Sequence, residues 1–225
     1  MTVTEVGCMG VKPGLSPMDD STPEGSFLSG AYRAVTVAEG GPYRAFWGTE
    51  IENPLLLWGF FDFDSVEHHE VFAKLHGAEI VKDLPALLTH GEFVKHLSFT
   101  PSSSVALQCP VTELVLVHFP GDVSAEVRAE ATISVRQILT DNFQTCVEVT
   151  AVSWGWSVEN DFPIRGQSGN TGAVLAALIG WGSADGQRVF YQTEIGERAR
   201  LGMNSIQGAI TVTRVSVRCR YSGRK

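Results

Sequence analysis

The chain has no apolar run approaching the roughly 18 residues of a membrane-crossing helix, so a membrane is not expected among its partners. Its beginning, MTVTEVGCMGVKPG, alternates like a strand and lacks the charged and apolar regions of a secretory signal. Close cysteine pairs are missing too. Cys8, Cys109, Cys146 and Cys219 are scattered, and in a chain of 225 residues they read as reduced thiols rather than a disulfide framework. Positive charge is scarce. With 17 Lys and Arg against 25 Asp and Glu, the net charge is −8, which argues against nucleic acid, whose binding rests on neutralised phosphates. The one basic cluster, Arg214 to Lys225, reads as a solvated end. Together these features point to the cytoplasm.

Ligand-binding signatures are equally thin. The loop Arg165-Gly-Gln-Ser-Gly-Asn-Thr-Gly172 lacks the Lys-Ser/Thr ending of a phosphate-binding loop, and reads as a mobile connection able to act as a flap. His68 and His69 are chain neighbours and cannot share a ligand face on a helix. Neither a metal nor another cofactor is expected.

What the sequence does contain is a repeat. Trp47-Gly48, Glu52-Asn53, Ser65 and Val71-Phe72 return as Trp154-Gly155, Glu159-Asn160, Ser183 and Val189-Phe190, with offsets that grow from 107 to 118 residues. Val3-Thr4-Glu5 likewise returns as Val111-Thr112-Glu113. Matches in the same order predict a duplicated unit of roughly 105 residues, dividing the chain into 1–104 and 105–225.

Each half shows the same order of elements. In the first, alternation predicts strands at 2–11, 43–52, 55–63 and 92–99, with a helix over 23–38 and a largely helical stretch from Val66 to His90. Pro101 to Ser104 reads as the linker. The second half predicts strands at 113–119, 145–159, 173–181 and 210–219, a helix over 124–140 and a short one near 185–195. The order β-α-β-β-α-β is the ferredoxin-like, or split βαβ, motif. The predicted class is α+β: two tandem ferredoxin-like units whose bare sheet faces cover one another, giving an intrachain pseudo-dimeric α+β barrel.

The stretch from Trp47 to Phe72, WGxxIENP followed by an apolar strand and FDSVEHHxxF, resembles the antibiotic-biosynthesis-monooxygenase-like proteins of the dimeric α+β barrel superfamily, particularly fungal members. The family pattern is roughly WGxxxEDP and then WxSxEAHxxF. Most members are single units that dimerise, so the resemblance implies a fused pseudo-dimer here. The resemblance implies the fold rather than one activity, because the superfamily covers cofactor-free oxygenases, haem-degrading enzymes, cyclases, isomerases and decarboxylases. The copies depart from the pattern unevenly. The family tryptophan falls on Phe63 and Trp181, and the family histidine on His69 and Gln187. One asymmetric site is expected rather than two equivalent ones.

The candidate acid–base residues are His69, at the start of a helix, and His96 and His118, on strands where either face is open to them. His68 is expected to be solvated. Trp47, Trp58, Phe63, Trp154, Trp156 and Trp181 are candidates for the walls of an apolar substrate site, with core packing as the alternative reading. The expected partner is a hydrophobic small molecule, and homodimerisation is left open. The expected activity is specialised-metabolism chemistry on a polyketide- or terpenoid-like compound, by cyclisation or isomerisation with histidine acid–base help. A cofactor-free monooxygenase and a non-catalytic ligand-binding or stress-response barrel are the alternatives.

Overall fold

A computed structural model of the chain describes residues 2–165, 167 and 169–224. It forms two compact units, Met1–His96 with Val217–Lys225, and Leu97–Ser216. In chain order, the first unit contains β1 (Val3–Val11), α1 (Pro23–Val37), β2 (Arg44–Thr49), β3 (Leu56–Phe63), α2 (Val66–Val81) and most of β4 (Leu88–Thr100). The second contains α3 (Ser104–Leu107), β5 (Val111–Phe119), α4 (Ala125–Ile138), β6 (Val149–Ser157), β7 (Phe162–Pro163), β8 (Thr171–Trp181), α5 (Ala184–Phe190), α6 (Glu194–Asn204) and β9 (Thr211–Val217). The final strand, β10 (Arg220–Gly223), belongs to the first unit.

Hydrogen bonding orders the first unit β2-β3-β1-β4 and the second β6-β8-β5-β9. In both, the unit's own strands lie side by side as second, third, first and fourth. The fold class is therefore α+β, with two ferredoxin-like units in tandem.

Local chemistry explains the helices. Thr22, Ser65, Ser124, Ser183 and Thr193 are extended residues whose hydroxyls each accept from the free backbone N–H three residues on, in the first turn of α1, α2, α4, α5 and α6. Each such cap contributes about 1 kcal/mol. The strands sort by alternation. In β1, Val3, Glu5, Gly7 and Met9 lie opposite Phe63, Phe61, Gly59 and Leu57 of β3 and face the helices. Thr4, Val6 and Cys8 turn to the other face beside Asp62, Phe60 and Trp58.

The repeated Trp-Gly pair has a packing reason. A Cβ on Gly48 would stand 2.2 Å from the Arg218 carbonyl oxygen, and one on Gly155 would stand 1.9 Å from that of Ser98. At both positions a neighbouring segment crosses too closely for any side chain.

The structure departs from the sequence reading at several places. Pro101 to Ser104 is not a free linker, because Ser103 and Ser104 are buried and α3 follows at once. The Thr112 hydroxyl donates to the Ala106 carbonyl at 2.7 Å and pins this turn to β5. The helix expected near 185–195 is two helices, since Thr193 caps a second one that buries Ala199 and Met203. β4 begins at Leu88, inside the stretch expected to be helical. The basic tail is not a solvated end. β10 pairs with β2, and Arg220 donates to the Asp20 carboxylate, the Met18 carbonyl and, at 2.8 Å, the Ser29 hydroxyl. The loop from Arg165 to Gly172 includes Gly166 and Ser168, which lie outside the described residues, so its expected role as a flap is not described.

Candidate functional site

A cavity of about 210 Å³ lies in the first unit between the sheet and helices α1 and α2. Its wall is mostly aliphatic and aromatic, drawn from Met9, Leu28, Val35, Leu57, Phe61, Phe63 and Phe72 among others. Three polar side chains reach it: Glu5 from β1, Tyr32 from α1 and His69 from α2. It lies on the helix face of the sheet, not on the bare face that the sequence reading expected to be covered by the other unit.

His69 is placed by its helix. Ser65 caps α2, and the ring of His69 packs 5.0 Å from that of Phe63. Its Nε2 lies 3.1 Å from Glu5 Oε2, and its Nδ1 lies 2.8 Å from Nε2 of the buried His96. Both ring nitrogens are therefore spent in one chain, Glu5–His69–His96. The arrangement can carry a proton. With Glu5 ionised, His69 donates from Nε2 to the carboxylate and accepts from His96 at Nδ1. With Glu5 protonated, the carboxyl donates to His69 Nε2, and His69 Nδ1–H donates to His96. Each bond reverses and none is lost.

Burial pushes the Glu5 carboxyl up from 4.5 to about 7, against the opposing pull of His96. Glu5 therefore changes charge near neutral pH, where an acid–base group is most useful. Burial, the Glu5 carboxylate and Cys219 hold the proton of Tyr32 more tightly than usual, so its hydroxyl remains a hydrogen-bond donor. Tyr32 lies between Trp47 and Phe61, with ring centroids 4.6 and 5.2 Å away. Gly59 makes this possible, since a Cβ there would lie 2.7 Å from the tyrosine hydroxyl oxygen. Among the described residues no group of three His, Cys, Asp or Glu is arranged to hold a metal ion.

Of the six proposed wall residues only Phe63 lines this cavity. Trp47 is buried in the adjoining core with Leu28 and Tyr32. Trp58 points to the opposite face and donates to Glu50 at 2.7 Å. In the second unit, Trp154 and Trp156 lie beneath the guanidinium groups of Arg136 and Arg128, at 5.8 and 4.5 Å. Trp156 also donates to Thr132 at 2.9 Å. Trp181 is fully buried and donates to Glu113 at 3.2 Å. His118 belongs to the second unit, is fully buried, and has neither ring nitrogen hydrogen-bonded among the described residues. Burial lowers it from 6.5 to about 4. His68 is not simply solvated. Its Nε2 lies 2.8 Å from the Gly40 carbonyl oxygen, tying α2 to the loop after α1.

The second unit answers the Glu5–His69–His96 chain at the same three strand and helix positions. Glu113 on β5 accepts from Gln187 of α5 at 3.1 Å, and Gln187 in turn bonds Ser216 of β9 at 3.0 Å. Tyr191 donates to Glu113 at 2.7 Å. Burial raises Glu113 above the usual carboxylate range, and its donors oppose that rise. The ground beside it is filled: the rings of Phe143, Trp181, Phe190 and Tyr191 lie 5.1–6.4 Å apart. The first unit thus holds a titratable chain beside a cavity, and the second holds a glutamine bridge beside packed rings.

The sequence reading missed both glutamates. The signal was present, because Val-Thr-Glu opens both halves with a carboxylate at an inward position of an otherwise apolar strand.

Comparison with known proteins bears on the fold. No protein-family model matches the chain, and no curated protein matches it. Solved structures do. An anthrone oxidase-like protein aligns over 100% of this chain and 94% of its own, with a TM-score of 0.64 at 16% identity. A proposed monooxygenase of Fusobacterium nucleatum aligns over 99% of this chain and 94% of its own, with a TM-score of 0.61 at 11% identity. A mutant chlorite dismutase of Candidatus Nitrospira defluvii aligns over 97% and 90%, with a TM-score of 0.54 at 8% identity. At these identities the likeness is one of fold: the chain shares the ferredoxin-like α+β architecture of monooxygenase-like proteins.

Proposed function

We propose that the protein is a small-molecule enzyme that works without a bound cofactor and begins catalysis by removing a proton from an apolar, polycyclic substrate held in the first unit. The observation that carries this reading is the Glu5–His69–His96 chain opening into an apolar cavity. An apolar cavity of about 150 Å³ accepts a benzene ring. The larger space here, bordered by Tyr32 and Phe63, suits fused rings.

The favoured substrate is a phenolic tricycle of the anthrone type, with an activated CH₂ next to a conjugated carbonyl. Glu5, oriented by His69, takes one proton from that carbon, and the resulting carbanion is delocalised as a phenolate. Reaction with molecular oxygen then forms the new C–O bond. Loss of water leaves a ketone, so that CH₂ and O₂ become C=O and H₂O. The anthrone oxidase-like and monooxygenase-like neighbours support this ending. Cyclisation or isomerisation is the second reading, favoured by the relay itself, because returning the proton to a different atom needs nothing beyond Glu5 and the two histidines. The fused-repeat, fungal type of specialised-metabolism protein is the matching biological setting.

The test is incubation of the purified protein with anthrones under air and under nitrogen, following oxygen uptake and products. Oxygen-dependent quinone formation supports the oxidase, and an oxygen-independent isomer supports the second reading. Loss of a positioned acid or base costs about 10²–10⁴-fold in rate. His69→Ala is expected to slow turnover by that order. Turnover unchanged in His69→Ala and His96→Ala would overturn the relay. Binding without any turnover would leave a non-catalytic barrel.

A further inference from the structure

The charge pattern of the cavity bears on what it admits. Glu5 is its acidic group, and the described lining holds no lysine or arginine. The one side chain that could carry positive charge is His69, and both its ring nitrogens are committed, one to Glu5 and one to His96. Even a protonated His69 has no N–H left for a ligand. The remaining polar group, Tyr32, is a single neutral hydroxyl. An incoming carboxylate or phosphate would find no cationic partner and would meet the Glu5 carboxylate in an apolar surround. A neutral ligand with one hydroxyl can donate to Glu5 and accept from Tyr32.

We infer that the site selects uncharged hydroxyaromatic substrates and excludes aromatic carboxylates and phosphate-bearing carriers, with Glu5 as the discriminating residue. This rests on the cavity being the substrate site, as proposed above. Bringing like charges together in a desolvated site costs several tenfold factors in affinity, so exclusion of the anion is expected to exceed a hundredfold. The groups facing Glu5 are His69 on α2, His96 on β4 and Tyr32 on α1. Because burial holds the Glu5 proton to near neutral pH, the exclusion weakens as pH falls below 7 while an aromatic carboxylate remains ionised.

The experiment is equilibrium dialysis of the full chain with 2-naphthol and with 2-naphthoate, at pH 8 and at pH 5.5. Naphthol is expected to bind at both values. Naphthoate is expected to bind at least a hundredfold more weakly at pH 8, with the gap shrinking severalfold or more at pH 5.5. In Glu5→Gln the gap at pH 8 is expected to fall within about tenfold. Naphthoate binding within tenfold of naphthol at pH 8 would overturn the inference and leave the cavity as the ligand site. A gap in the wild type that ignores pH would remove Glu5 from the role, even if the variant fails to fold. Binding of neither probe would overturn the cavity as a ligand site, and the proposed function with it.

Discussion

Replacing Glu5 by Gln tests the central electrostatic feature without needing a substrate. The native carboxyl titrates near 7 because it is buried, whereas the unfolded chain releases the same proton near 4.5. Below 4.5 both states hold the proton, and the group contributes no pH dependence. Between 4.5 and 7 the native state holds a proton that the unfolded state has lost, so stability falls as pH rises. Above 7 both states are ionised, and the loss is complete. At 1.36 kcal/mol per pH unit, moving from 4.5 to about 7 corresponds to roughly 3 kcal/mol. Gln keeps the shape and can still bond His69, but it has no proton to release in this range. The advantage of wild type over Glu5→Gln is therefore expected to shrink by roughly 3 kcal/mol between pH 4.5 and 8. Urea unfolding of both proteins across that range measures it, and a ¹³C carboxyl titration, assigned by the signal lost in the variant, locates the midpoint. A stability difference flat within about 1 kcal/mol, or a Glu5 midpoint below 5, would refute the reasoning.

His118→Leu is expected to act with the opposite sign. The native imidazole stays neutral down to about 4 while the unfolded one gains its proton near 6.5, so stability is full above 6.5 and is lost as pH falls through 4. The variant should lack that acid loss, about 3 kcal/mol, and should be more stable than wild type in urea at pH 4.5, because two unpaired buried nitrogens also disappear. Gly155→Ala places a Cβ against the Ser98 carbonyl oxygen and is expected to lower stability by about 1–3 kcal/mol or more, read from the urea midpoint; a neutral effect would contradict the packing account of the Trp-Gly pair.

Much of the architecture was legible in the residues. Period-two alternation marks strands, and a hydroxyl residue before an apolar run marks a helix start, because both follow from local geometry. Val3–Val11, Leu56–Phe63 and the helices capped by Ser65 and Ser124 obey that logic. The uneven histidine and glutamine at positions 69 and 187 were also visible, and with them the asymmetry between units. What one dimension could not carry was which face of which sheet a side chain meets. Trp58 and Phe63 are five residues apart on one strand, so alternation sends them to opposite faces, and only Phe63 reaches the cavity. The basic tail looked solvated because its partners, Asp20, Ser29 and the Met18 carbonyl, lie about 190–200 residues earlier. Glu5, His69 and His96 are separated by 64 and 27 residues, and sequence gives no reason to join them. The sequence determined that a carboxylate would sit inward on an apolar strand and that an imidazole would open a helix. Tertiary structure alone decided that the two would meet, and burial of Glu5 at that meeting is what moves its charge change to neutral pH.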